Sequence, residues 1–264
     1  MRNKLTDELA VCGINAVLAA AEYHPQKINR LFLREDRLKS FTGICKQLAE
    51  RKRPYKICED EELERVCKSV HHQGVVAMIE EPVIEPLSEE DLELWANEKK
   101  TGVILNSIGN DHNLGAIARA AAFFDVSFLI LNEKDEVFNG EETQPLAKHA
   151  LTTSAYRVAE GGFEHLTVRK IKNTAAFLKD ASKLLLTIGT DIRARRRISD
   201  LKGIVKTGKS RKGIALVLGN EETGLPQNVK DQCSCLLRIP GTGNIESLNV
   251  SQAAALFFHA IFEA

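Results

Sequence analysis

Three stretches of this 264-residue chain gather residue types able to hold a small reacting group. "NSIGNDHNLGAIARAAAFF" carries Asn113, Gly115 and Arg119. "IALVLGNEETGLP" carries Gly219, Glu221 and Gly224, and "IPGTGNIESLNVSQAAALFF" carries Ser247, Leu248, Asn249 and Ser251. Side-chain amides and hydroxyls beside the free N–H groups of a helix start can bind a ligand, and an arginine can bind its anionic part. Each stretch also has a plainer reading. Leu114, Ile117, Ala118, Ala121 and Phe124 form an apolar stripe, and at about 100° per residue Arg119 points almost opposite it, as a solvated arginine would. Asn113 suits the cap of that helix. Gly219 ends an apolar strand, either because its backbone approaches a ligand or because a surface loop begins there. One of Ser247, Asn249 and Ser251 caps the last helix; the others serve a ligand or are redundant caps.

The elements that must position these residues are legible as an alternation. From 13 to 80, "INAVLAAAEY", "RLKSFTGICKQLAER" and "DEELERVCK" read as helices, and "INRLFLR", "YKIC" and "GVVAMIE" as strands. This pattern predicts a three-layer α/β unit. Two prolines and many acids then predict a linker over 82–100, helical after Ser88. From 101 a second alternation sets in. Strands are predicted at "GVILNSI", "SFLILN", "LTVRKI", "KLLLTIG", "IALVLG" and "CLLRI". Helices are predicted after Asn113, around Gln144–Thr152, at Thr174–Ser182, after Pro226 and after Leu248. Short apolar runs of this kind fit a parallel sheet covered on both faces. In such sheets ligands sit beyond the carboxyl ends of strands, where the second and third stretches begin.

Composition narrows the class. Apolar residues at 44% support a real core, and no apolar run reaches the ~20 residues of a membrane span. The polar N-terminus does not read as a secretory signal. The six cysteines lack paired C-x-x-C spacing, so reduced thiols in the cytoplasm and no metal are expected. Net charge is zero, against a general nucleic-acid coat, yet 193–212 holds nine Lys or Arg and one acid, Asp200. Such a run is either a solvated loop or a footprint for phosphate backbones. "GIVKTGKS", Gly203–Ser210, spells a P-loop, but a P-loop needs a buried strand before it and a helix after it. The flanking sequence predicts neither, so the match reads as chance.

Taken together, the three stretches resemble the signatures of the SpoU family of RNA ribose 2′-O-methyltransferases, within the SPOUT superfamily. Asn113, Gly115 and Arg119 match its first motif, Gly219, Glu221 and Gly224 its second, and Ser247 to Ser251 the S-L-N-V-S of its third. "VCGINAVLAAA" and "HHQGVVAMI" resemble the family's N-terminal substrate-binding domain. The resemblance implies a substrate-binding domain over 1–81 and a methyltransferase domain over 101–264. It implies a C-terminal parallel sheet with a deep trefoil knot, and S-adenosyl-L-methionine held by Gly219, Ile239, Leu248 and Thr187. It implies Arg119, Asn113, Glu221, Ser247 and Asn249 as the catalytic set, and a homodimer formed through the C-terminal domain. The partner it implies is structured RNA, tRNA or rRNA, with no DNA and no membrane expected. Two departures concern RNA specificity: Asn110-Asp111 stands where many members have Asp-Pro, and Glu222 where glycine is frequent. A non-catalytic RNA-binding protein that kept the fold, or a base-methylating SPOUT enzyme, are the alternative readings.

Overall fold

A computed structural model describes residues 2–3, 7–108, 110–133, 136–138, 143–145, 150–207 and 213–264. The chain forms two compact units. One holds residues 1–83 with 151–164, the other 84–150 with 165–264.

The first unit opens with strands β1 (Arg2–Asn3) and β2 (Glu8–Cys12) and helix α1 (Ile14–Tyr23). Strand β3 (Ile28–Leu33), helix α2 (Leu38–Glu50), strand β4 (Tyr55–Ile57), helix α3 (Asp60–Cys67) and strand β5 (Val75–Glu80) follow. Its sheet runs β1-β2-β5-β3-β4 and is mixed, with only β3 and β4 parallel. Strand β2 escapes a reading from sequence because it carries a buried acid. Glu8 is 5% exposed and pairs with Arg30 of β3, which satisfies the carboxylate where an apolar residue would be expected. Helix α3 packs on the face bearing Ala10, Cys12, Val76 and Met78.

The second unit contains α4 (Glu89–Asn97), β6 (Thr101–Leu105), α5 (Asp111–Phe123), β7 (Val126–Asn132) and a hairpin of β8 (Glu136–Phe138) with β9 (Thr143–Pro145). Next in the chain comes α6 (Thr153–Ala159), which belongs to the first unit. The second unit resumes with β10 (Thr167–Ile171), α7 (Thr174–Ala181), β11 (Leu185–Thr190), β12 (Arg196–Arg197) and α8 (Leu201–Thr207). Strand β13 (Gly213–Leu218), α9 (Gln227–Lys230), β14 (Cys235–Arg238) and α10 (Val250–Phe262) complete it. The sheet order is β10-β7-β6-β13-β11-β14-β12, with every pair parallel. β6, β7 and β13 are almost wholly buried, as their unbroken apolar runs require.

One expectation changes. Residues 82–100 are not a free linker: from Ile84 onward they pack into the second unit. Leu87 N–H donates to Lys170 O at 2.9 Å, and Arg169 pairs with Asp91 at 2.8 Å. Trp95 of α4 is fully buried, stacks on Phe128, and donates its indole N–H to Ile214 O at 3.0 Å. The ring lies over Gly102 and Gly213, where a Cβ would fall 2.3 Å and 2.5 Å from Trp95 atoms, so both positions must lack a side chain. The helix expected around Gln144–Thr152 falls largely on residues that are not described. Thr143–Pro145 is a strand, residues 146–149 lie outside the described residues, and α6 starts at Thr153 because Thr152 Oγ1 caps it by accepting from Ala155 N–H at 3.1 Å. The P-loop reading falls on α8: Gly203 to Thr207 are helical, whereas a phosphate cradle is a loop. Lys209 and Ser210 lie outside the described residues.

Within the first unit, α6 packs against β2 and α1. Ala155, Tyr156, Ala159 and Phe163 are buried there. Gly161, at φ +93°, sits where a Cβ would lie 2.6 Å from Ala19 Cβ, so helix and strap touch directly. Asn15 Nδ2 donates to Glu160 Oε2 at 3.1 Å, and His24 Nε2 lies 3.2 Å from Glu164 Oε2. Burial pushes the His24 imidazole down and the Glu164 carboxyl up from their ordinary values, so desolvation works against charge on both partners.

Candidate functional site

The carboxyl ends of β6, β13 and β14 lead into the three chemistry-bearing loops. β6 and β13 are neighbours in register, Leu105 beside Leu218, so their loops emerge side by side. Asn106 N–H donates to Leu218 O at 2.9 Å, and Asn220 Nδ2 reaches Ser107 O at 2.9 Å. Asn220 also folds its own loop: its Oδ1 accepts from Glu222 N–H at 2.9 Å and Thr223 N–H at 3.1 Å. This turn is an Asx-turn, which the Asn between Gly219 and Glu221 could have signalled.

Asn113 does not cap α5. Asn110 does, its Oδ1 accepting from His112 N–H at 2.8 Å and Asn113 N–H at 3.3 Å. The cap must stand before the first helical residue in extended backbone, and Asn110 has that geometry. The Asn113 side chain is thereby released for contacts across the chain. Its Nδ2 donates to Glu221 Oε1, and its Oδ1 accepts from Asn249 Nδ2 at 3.0 Å. Asn249 is the cap of α10: its Oδ1 accepts from Ser251 N–H at 2.9 Å and Ser251 O–H at 2.6 Å. A carboxylate only accepts, so Glu221 fixes the orientation of both amides. Every bond in the series Ser251, Asn249, Asn113, Glu221 points toward the carboxylate, an arrangement in which each bond polarises the next.

Three of the five residues expected to be catalytic, Asn113, Glu221 and Asn249, are thus brought together. Ser247 is exposed in the loop before α10 and does not cap it. Arg119 is exposed on α5, about 9 Å along the axis from Asn113 and on another face of the helix. Ile239 is partly exposed and Leu248 is 46% exposed, with Ile245 of the same loop 80% exposed.

Gly219 is glycine because of its own chain: a Cβ there would lie 2.5 Å from Gly224 C and 2.6 Å from Leu225 N. Thr187 lies within β11, which continues to Thr190. Its hydroxyl is fully buried and spent on Ser234, accepting from Ser234 N–H at 2.9 Å and sharing a 3.0 Å bond with Ser234 Oγ. Among the described residues no group of three or more His, Cys, Asp or Glu side chains is arranged to hold a metal, and no helix is long and apolar enough to cross a membrane.

A family model described as the SpoU rRNA Methylase family matches residues 100–259. The chain belongs to the SpoU family. A second model, RNA 2′-O ribose methyltransferase substrate binding, matches residues 10–83, so both parts of the SpoU arrangement are present. The chain is 29% identical over 261 residues to the 23S rRNA (guanosine-2′-O-)-methyltransferase RlmB of Acinetobacter baylyi, covering 96% of this chain and 94% of that one. Among solved SpoU-like folds, an rRNA methyltransferase from Sinorhizobium meliloti superposes with a TM-score of 0.71 at 21% identity, covering 97% of this chain and 87% of that chain. The SpoU methyltransferase AviRb from Streptomyces viridochromogenes, in complex with AdoMet, gives 0.70 at 18% identity, covering 97% and 90%.

Proposed function

We propose that this chain methylates a ribose 2′-hydroxyl in tRNA or rRNA, taking the methyl group from S-adenosyl-L-methionine. The observation that carries the reading is the single hydrogen-bonded series through Asn113, Glu221 and Asn249, one residue from each SpoU motif. The relative from Acinetobacter baylyi is named for 2′-O-methylation of guanosine in 23S rRNA, which supports ribose as acceptor. AviRb, whose fold this chain shares, was solved with AdoMet.

The residues fit that cofactor in part. Leu248 and Ile245 display apolar surface in the loop that follows β14, suited to a purine ring, and Ile239 opens that loop. Gly219, Ile239 and Leu248 hold the cofactor in this reading; Thr187 contributes no hydroxyl to it. The cofactor supplies a methyl group on a positively charged sulfur, open to in-line attack. The chain's part is positioning, which accounts for much of the rate of a reaction between two bound partners. Arg119 binds the ribose-phosphate and assists loss of the 2′-hydroxyl proton; a guanidinium holds its own proton too firmly to be a ready base. Asn113 and Glu221 brace the loops, and Asn249 and Ser247 hold substrate.

The knot, the dimer and the location belong to the same proposal. β13 and β14 flank β11, and α10 packs on α5 and α8, a path that supports a deep trefoil knot. Exposed Phe123, Leu256 and Phe262 near this packing support a homodimer through the C-terminal unit. The first 81 residues select the RNA, the methyltransferase part runs from 101 to 264, and a tRNA or rRNA substrate supports the cytoplasm as its location. The deciding experiment is a single-turnover assay with labelled S-adenosyl-L-methionine on total tRNA and rRNA, followed by alkaline hydrolysis. A 2′-O-methyl group yields an alkali-resistant dinucleotide. Label in ordinary mononucleotides would mean base methylation, and no transfer would favour a protein that only binds RNA.

A further inference from the structure

The basic run leaves an uncompensated charge at one edge of the second sheet. β12 is the edge strand and consists of Arg196 and Arg197 alone. It pairs in parallel with β14, Arg196 beside Leu237 and Arg197 beside Arg238. Register partners in a sheet point to the same side, and neighbouring strands lie about 4.8 Å apart. Arg197 and Arg238 therefore stand side by side, while Arg196 turns to the opposite face with Leu237. Like charges placed directly beside each other destabilise a sheet.

Among the described residues the nearby acids make their printed contacts elsewhere. Asp191 is taken by Lys230, at 2.8 Å, and by Arg193 N–H, at 2.8 Å. Burial alone would raise the Asp191 carboxyl, but these two contacts outweigh it and hold it below its ordinary value. Asp200 accepts from the backbone N–H of Arg197 at 2.8 Å. Among the described residues neither Arg197 nor Arg238 has an ion-pair partner. A guanidinium pair on one face, at the carboxyl edge of β14 and one residue before Ile239, is built to take an anion with two or more oxygens.

We propose that Arg197 and Arg238 share one backbone phosphate of the RNA. This rests on the RNA reading above, and it identifies Arg238, outside the basic run, as half of the site. The contact reads no sequence; it fixes where the strand lies relative to the loop that follows β14.

The test compares wild type with Arg197→Gln, Arg238→Gln and the double variant. Binding of a short mixed-sequence single-stranded RNA is measured against salt. The double variant loses about 0.7 in log–log salt slope, the value of one phosphate on a single strand. A loss of about 1.4 would mean two separate phosphates, and an unchanged slope would mean no contact; either overturns the proposal. A second arm needs no RNA. At low salt each single variant melts higher than wild type, by on the order of one to three degrees, because the like-charge pair is gone. A lower midpoint in both variants would make the arginines structural and overturn the proposal. Methyl transfer by wild type is measured alongside. Transfer that persists beside an unchanged slope in the double variant removes the phosphate site and leaves the methyltransferase reading standing.

Discussion

Asn249 caps the last helix with its side-chain carbonyl and gives its amide N–H to Asn113, 136 positions earlier in the chain. One residue therefore starts α10 and orients the first turn of α5. The two tasks use different atoms, so they separate by mutation.

Asn249→Asp keeps a cap, since Asp and Asn cap equally well, but turns the donor toward Asn113 into an acceptor. Thermal stability is expected to change little. Methyl transfer in a single turnover is expected to fall about 10- to 100-fold, the worth of one misdirected hydrogen bond of roughly 1–3 kcal/mol. Equal losses of stability and rate would show that Asn249 is only a cap.

Arg119→Ala should leave the midpoint within about 0.5 kcal/mol of wild type, because the side chain is exposed. Affinity for S-adenosyl-L-methionine, read by calorimetry, should hold while the single-turnover rate collapses. Arg119→Lys keeps the charge but not the planar fork and should stay severely impaired. A wild-type rate in Arg119→Ala would return Arg119 to the role of a solvated surface arginine.

Gly219→Ala puts a methyl group 2.5 Å from the Gly224 carbonyl carbon, against backbone that cannot turn aside. A cost of about 1–3 kcal/mol is expected, lowering the melting midpoint by several degrees. Gly224→Ala has open space but a φ of +67°, so its cost comes from backbone conformation alone. Circular-dichroism melts of both variants separate crowding from strain.

Asp91 joins α4 to β10 through Arg169. Burial works against its charge, yet the Arg169 pair and the Ser88 cap outweigh it and set its pKa below the ordinary value. A carboxyl lowered in the folded state stabilises fully above its unfolded pKa of about 3.9 and loses that contribution as pH falls through the folded value. Asp91→Asn should therefore melt below wild type at neutral pH, with the gap closing as pH drops below about 4. A gap that does not narrow as pH falls below about 4 would place the loss in packing rather than in charge.

The apolar surface of the last helix gives a prediction on assembly. Phe262 is 61% exposed and Phe123 is 80% exposed. Light scattering at micromolar concentration should report a dimer, and Phe262→Lys should shift it toward monomer. A monomeric wild type would count directly against the dimer.

Most strands were legible because apolar runs such as "IALVLG" and "SFLILN" have few other fates. β2 was not, because it is short and opens on an acid, and only Arg30, distant in sequence, explains the burial of that acid. The site was legible as residue types but not as geometry. Nothing local distinguishes Asn110 from Asn113 as the cap, since both precede apolar residues at helical spacing. Their roles separate only when Glu221 and Asn249 arrive from other loops. Trp95 hid the standing of 84–100 in the same way: its glycine floor is supplied by strands that begin at Thr101 and Gly213.

The placement of residues 151–164 bears on how the protein is made. The first unit lacks α6 until that segment has left the ribosome, and by then β6, α5 and β7 of the second unit have already been synthesised. At about 5–20 residues per second, β2 and α1 wait for seconds with the surface that later receives Tyr156 and Phe163 uncovered. The nascent chain thus carries an apolar seam during synthesis that a contiguous unit of the same size would have closed. Slowing translation between codons 84 and 151 should lengthen that interval, with chaperone capture of the nascent chain rising in step.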